Sequence, residues 1–159
     1  KYKYEKTTYS GRTNSSYWLR KDLYPETHNI CKNIANLLKC DWTHFEDFQV
    51  IHYKENEHYD YHYDAYDKNE TEKYKKYCGQ RGNRIKTVLI YLNDVKEGGG
   101  TGFNSLPDYD SPIEIQAKKG RMVVLTGKLC LSKKRRIHKL GSLISIFVRP
   151  DMSYDCGFV

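Results

Sequence analysis

Apolar positions along this chain come in short runs separated by polar stretches, and their spacing changes from helical to extended partway along. From Pro25 to Leu38 the sequence PETHNICKNIANLL sets Ile30, Ile34, Leu37 and Leu38 at helical intervals, with Pro25 and Glu26 suited to a first turn. Beyond it the apolar runs become short and β-branched. Phe48–Tyr53 (FQVIHY) and Arg84–Leu92 (RIKTVLIYL) read as strands, and Met122–Leu125 and Leu143–Val148 as two more. Asp67–Asn83 is polar, charged and glycine-ended, and reads as a long mobile insertion. Gly98–Gly100 marks a tight turn or a close backbone approach. A helical start followed by short strands predicts a mainly β fold with flanking helices, of sandwich or barrel type.

The length, 159 residues, suits one domain with a core of its own, and no internal repeat or low-complexity linker divides it. We therefore expect a single domain over 1–159, with helical support over about 1–45 and a β core over about 46–150. No apolar run approaches the roughly 20 residues that cross a bilayer. The first ten residues, KYKYEKTTYS, are polar, so no signal peptide is expected in them. The compartment stays open between endoplasmic reticulum and cytoplasm. A formal charge of +7 favours acidic partners or nucleic acid and is silent about fold. Cys31, Cys40, Cys78, Cys130 and Cys156 contain no C-x-x-C pair, so a cysteine-built zinc site is not expected. Two disulfides would leave one free thiol.

The densest chemistry lies in His58-Tyr-Asp-Tyr-His-Tyr-Asp64. In an extended chain His58, Asp60, His62 and Asp64 share one face and the tyrosines the other. A histidine and an aspartate two residues apart on a strand can bind one metal ion. Two histidines and a carboxylate on one face of an octahedral ion leave positions open, as a non-haem iron(II) oxygenase requires. After position 62 the one remaining histidine is His138, which makes it the third ligand by elimination. Two overlapping pairs compete, His58/Asp60 and His62/Asp64. A zinc site from His52, His58 and His62 is a further alternative, and a tyrosine-rich edge strand with a solvated polar face is another.

Context changes the weighing. The segment EDFQVIHYKENEHYDYHYDAY from Glu46 resembles the first core strands of the collagen-type prolyl 4-hydroxylases, within the iron(II)- and 2-oxoglutarate-dependent dioxygenases. In that family a Q-V-x-x-Y strand leads into Y-x-x-H-x-D, and Gln49, Val50, Tyr53, Tyr59, His62 and Asp64 stand at those places. Arg84–Val95 resembles R-x-x-T-x-L-x-Y-L-x-D-V, Glu97–Phe103 resembles E-G-G-x-T-x-F, and Lys118–Val124 resembles a K-x-G strand. Upstream, the stretch RTNSS starting at Arg12 is similar to an R-T-S-S segment.

The resemblance implies a double-stranded β-helix, or jelly roll, with supporting helices. It implies that His62, Asp64 and His138 hold iron(II), with O2 and ascorbate in the reaction. It also implies that Tyr53 and Thr101 hydrogen-bond the far carboxylate of the cosubstrate 2-oxoglutarate. The family's basic residue, about ten positions after the distal histidine, falls on Val148, with Arg149 next. Alignment of Gly141–Val148 with the family's last strand instead puts Leu143 there. Arg149, or one of Lys133, Lys134, Arg135, Arg136 and Lys139, is then needed to meet the carboxylate. Arg12 is a candidate substrate contact, Thr87 and Tyr91 face one side of a strand and would line the pocket, and Tyr61, Tyr63 and Tyr66 would stack on proline rings.

Three functions compete on these grounds. The first is hydroxylation of a peptidyl proline, with 67–83 closing over the peptide. The second keeps the enzyme class with a nucleic acid or another side chain as substrate, for which the KKRR run at 133–136 and the net charge speak, although such a run is more often a solvated loop. The third is a catalytically degenerate binding module, for which Leu143 speaks.

Overall fold

A computed structural model describes residues 5–6, 11–103, 113–126, 135–138 and 141–150, with side chains described for 11–103, 113–126 and 141–150. In chain order the elements are β1 (Glu5–Lys6), β2 (Ser15–Leu19), α1 (Pro25–Leu38), β3 (Phe48–Tyr53), β4 (His58–Tyr59), α2 (Thr71–Cys78), β5 (Lys86–Tyr91), β6 (Thr101–Phe103), β7 (Ile113–Ile115), β8 (Met122–Thr126), β9 (Arg135–His138) and β10 (Gly141–Val148). Among the described residues the strands form two antiparallel sheets. One runs β1-β2-β3-β10-β5-β8 and the other β4-β9-β6-β7.

The larger sheet is the middle layer of three, and strand alternation explains why. On β3, Ile51 and Tyr53 point inward while Phe48 points the other way; on β5, Leu89 and Tyr91 oppose Val88; on β10, Leu143 opposes Ile146 and Val148. The inward set packs on Phe103, Ala117 and Ile115 of the smaller sheet and its connections. The outward set packs on Cys31, Ile34 and Ala35 of α1. Both faces are therefore apolar, which is why β5 and β10 read as nearly unbroken hydrophobic runs.

The helix at 25–38 forms as its sequence predicts, but the buried face differs. Thr27, Cys31, Ile34 and Ala35 turn to the sheet, whereas Ile30 is 38% and Leu37 64% exposed. Residues 27, 31 and 34 are spaced i, i+4, i+7, and the small side chains of Thr27, Cys31 and Ala35 let α1 approach the sheet closely. The helix ends where Lys39 turns left-handed, its N–H bonded to Asn36 O.

The insertion at 67–83 is not loop throughout: α2 occupies Thr71–Cys78. A Glu70–Lys73 ion pair at 2.9 Å lies at its start, Cys78 is buried at its end, and Tyr77 stacks on Tyr66 at 5.2 Å. Polarity hid this helix, because its support comes from side chains outside it. No helix among the described residues is long and apolar enough to cross a membrane.

Burial pushes the Cys31 thiol up to about 11. Alkylation of Cys31 at pH 8.5 is therefore expected to be slow in the folded protein and prompt in denaturant, read by peptide mass spectrometry. A raised folded-state value means that the contribution of Cys31 to stability is intact below about pH 9 and declines as pH rises toward about 11. Ile146→Ala, at the contact of β10 with α1, should cost about 2–5 kcal/mol in urea denaturation.

Candidate metal centre

β4 is only two residues long, so the His58–Asp64 segment leaves the sheet at Tyr59 instead of continuing extended. Its start is laced to residues 11–13: Thr13 N–H donates to His58 O at 3.0 Å, Asp60 N–H donates to Gly11 O at 2.7 Å, and His58 N–H donates to Thr13 Oγ1 at 3.0 Å. Within the segment the two histidine–aspartate pairs differ. His58 Nε2 lies 3.7 Å from Asp60 Oδ1, with side chains 30% and 55% exposed. His62 Nε2 lies 3.3 Å from Asp64 Oδ1, with side chains 18% and 9% exposed.

The second pair has the chemistry of a metal site. His62 Nδ1 sits 2.7 Å from Asp60 O, and a carbonyl only accepts, so Nδ1 carries the proton. In the neutral ring Nε2 is then a bare lone pair facing a carboxylate oxygen. Two acceptors at 3.3 Å need a proton or a cation between them. Ligand bonds of roughly 2.0–2.2 Å, set about 90° apart, would bring two donor atoms to about 2.8–3.1 Å, a few tenths of an ångström closer than they stand here. The ring is also held in plane by Tyr59, stacked at 3.6 Å and 15°. Such outer partners fix the orientation of a ligand histidine.

His138 lies on β9, with its backbone paired to His58. Its neighbour Ile137 pairs with both Tyr59 and Thr101, so β9 joins the histidine segment to β6. The His138 side chain lies outside the described residues, as do those of Lys133, Lys134, Arg135, Arg136 and Lys139. Among the described residues no three His, Cys, Asp or Glu side chains converge, and the His52, His58 and His62 zinc alternative has no support there.

Tyr53, Tyr91 and Thr101 gather on the inner face, all buried. Tyr91 Oη lies 2.6 Å from Thr101 Oγ1 and 3.3 Å from Ile115 O. Gly98 and Gly99 both have positive φ (68° and 67°), the turn that delivers Thr101, and a Cβ on Gly99 would meet Val95. Leu143, 2% exposed, pairs with Tyr91 and Ile51. The hollow beside these residues is about 10 Å³, lined also by Val95, Gly99 and Ala117. Iron(II) thus fits the donors present. For 2-oxoglutarate the described lining offers hydroxyls and apolar groups but no cation.

Arg149 departs from its expected place. It follows β10, six residues along the chain from Leu143, roughly 20 Å of extended strand. Both its Nε and Nη2 contact Glu46 Oε1, at 2.8 and 2.7 Å, and Nη1 donates to the carbonyls of Tyr77 and Gly82. A guanidinium engaged there does not reach the Tyr53–Thr101 group. Tyr66 is also differently employed. It stacks on Tyr77, lies under Arg84 at 5.1 Å, and its N–H and carbonyl are both clamped by the Asn83 amide, at 2.9 and 2.8 Å. Arg12 is buried, with Nε donating to Asn14 Oδ1 at 2.6 Å and its guanidinium 4.5 Å over Tyr59, beside the ring that supports His62. A larger cleft of about 500 Å³, lined by Trp18, Lys21, Glu46, Arg81 and Arg149 among others, contains none of the expected metal ligands.

Sequence reasoning gave no role to Arg84 or Glu46, whose pairing spans 38 positions and leaves no local signal.

The family model for the 2OG-Fe(II) oxygenase superfamily matches residues 48–140. The chain belongs to that superfamily. The chain is 32% identical over 151 residues to a probable prolyl 4-hydroxylase 3 of Arabidopsis thaliana, covering 91% of this chain and 46% of that one. It spans less than half the length of the curated relatives it matches. In fold it is similar to a Pseudomonas putida prolyl-4-hydroxylase, with a TM-score of 0.65 and 17% identity over 94% of this chain and 79% of that one. A prolyl hydroxylase from Trichoplax adhaerens, solved with a hypoxia inducible factor peptide fragment, matches with a TM-score of 0.62 and 15% identity over 90% of this chain and 66% of that one.

His62→Ala and Asp64→Ala should each weaken Co(II) binding by more than about 100-fold, beyond the usual cost of an outer partner. His58→Ala should leave it nearly unchanged; optical titration distinguishes the two pairs.

Proposed function

We propose that this oxygenase hydroxylates a peptidyl proline, in a reaction dependent on iron(II), 2-oxoglutarate and O2, on a double-stranded β-helix. The observation that carries the reading is the His62–Asp64 pair, 3.3 Å apart with the protonated nitrogen of the ring turned away. His62 and Asp64 hold the ion, with His138 as the third ligand from β9. When bound, iron(II) supplies the redox chemistry that couples decarboxylation of 2-oxoglutarate, giving succinate and CO2, to hydroxylation of a C–H bond.

The remaining work falls to the chain. Asp60 O holds the His62 ring in one tautomer, and Tyr59 covers one of its faces. Tyr53, Thr101 and Tyr91 offer hydroxyls to the cosubstrate from a buried inner face, and the surrounding apolar side chains keep water out. Ascorbate keeps the metal reduced. A peptide substrate is supported by the relatives, which are prolyl hydroxylases, one of them solved with a peptide fragment. Tyr61 and Tyr63, beside His62 in the chain, are the tyrosines we assign to the substrate's proline rings.

Leu143 supports a second reading, a metal-holding module without turnover, since an apolar residue there leaves the far carboxylate unneutralised by β10.

The test is succinate formation from 2-oxoglutarate with iron(II) and ascorbate, with and without a proline-rich peptide. Peptide-stimulated succinate is expected in the wild type and should be lost in both His62→Ala and His138→Ala. Metal binding without turnover would favour the binding module.

A further inference from the structure

Glu46, just ahead of β3, is a carboxylate shared by two guanidiniums. Arg84 binds it in bidentate fashion, Nε to Oε1 and Nη2 to Oε2, each at 2.8 Å. Arg149 approaches Oε1 from its own side at 2.7–2.8 Å. The side chains are only 12%, 12% and 10% exposed for Arg84, Glu46 and Arg149. Two cations on one anion leave a net positive charge and spare N–H donors, which need acceptors at this depth. Backbone carbonyls supply them. Arg84 Nη1 donates to Asp64 O at 3.1 Å, and Arg149 Nη1 donates to Tyr77 O at 2.9 Å and to Gly82 O. The Arg84 plane also lies 3.6 Å over the Phe147 ring, which fixes its orientation.

These bonds reach a stretch that no strand holds. The chain leaves β4 at Tyr59 and joins no element until Thr71. Within it, Arg84 grips the carbonyl of Asp64, and Asn83, next to Arg84, grips both backbone groups of Tyr66. Burial draws the Arg84 pKa down, but the hydrogen bonds and charge of Glu46 outweigh it and raise the value, so the guanidinium stays charged.

We propose that Arg84, locked by Glu46, is a positioning residue that sets the backbone of Asp64 and so aims its carboxylate at the metal. In the same cluster Arg149 latches the end of α2 onto Glu46, joining the 67–83 insertion to the metal-bearing segment. The inference rests on the reading of Asp64 as a ligand. A lysine at 84 keeps the charge but cannot hold a carboxylate by two parallel bonds and a carbonyl by a third in one plane.

The test compares Arg84→Lys, Glu46→Gln and Arg149→Lys with wild type by optical Co(II) titration, amide hydrogen exchange and thermal melting. Ile34→Val serves as a control that lowers stability at the α1 core. Arg84→Lys and Glu46→Gln are expected to weaken Co(II) binding about 10-fold or more and to alter its absorption spectrum. They should also speed exchange over 62–66. Arg149→Lys should speed exchange at the end of α2 with a smaller effect on Co(II). Co(II) affinity of Arg84→Lys within about twofold of wild type, or a loss matched by Ile34→Val, would overturn the proposal. Absence of Co(II) binding by the wild type would remove the metal reading itself. The latch would then be judged on exchange alone, and unchanged protection over 62–66 in Arg84→Lys would overturn it.

Discussion

β10 lies between β3 and β5, bonded to both, and its alternation decides what each face of the larger sheet can be. Ile144, Ile146 and Val148 must be covered, and α1 covers them. Leu143 and its strand neighbours face the smaller sheet, so the inner space is closed by apolar groups and a few hydroxyls. A slip of one residue in this register would exchange the two faces and put Ser145 under the helix. The segment that carries His62 and Asp64 depends on the same strand at one remove. Phe147, on the inner face of β10, is the ring against which Arg84 lies flat, and Arg84 holds Asp64.

The parts of this arrangement that could be read from the chain are those in which local pattern and burial agree. β3, β5, β8 and β10 are buried on one or both faces, so their apolar runs announce them. The helix at 25–38 was legible in extent but not in orientation, because Ile30 and Leu37 are apolar yet face solvent, while the small Thr27, Cys31 and Ala35 fit the sheet. α2 was missed because a polar helix held by an external tyrosine stack and an arginine carries no periodic signal of its own. The His-x-Asp pairs were visible as composition. The Y-x-x-H-x-D spacing already favoured His62 and Asp64, and the stacked Tyr59 and the Asp60 carbonyl, both close in the chain, are the geometry that sets this pair apart. Arg149 shows the opposite error: adjacency in an alignment put it near Leu143, and six residues of strand carried it to Glu46.

The electrostatic layout follows a simple division. Among the described residues the His62–Asp64 pair and the Arg84–Glu46–Arg149 cluster are largely shielded charged groups, joined where Arg84 bonds the Asp64 carbonyl. Between Tyr53, Tyr91, Thr101 and Leu143 there is almost no charge. A low-dielectric interior strengthens a bond to any ion that enters, and equally raises the cost of an ion that arrives without a partner.

Cys31 offers a last consequence of the layering. It sits between α1 and the sheet, on the face away from the inner hydroxyls, where burial pushes its thiol up to about 11. Oxidants attack thiolate, and burial keeps that form scarce at neutral pH. Dioxygen chemistry of the kind proposed above sheds stray oxidants, and sulfur is easily damaged by them. Placing this sulfur behind a full sheet, in its least reactive state, gives the fold a measure of resistance to wear from the chemistry proposed for its other side.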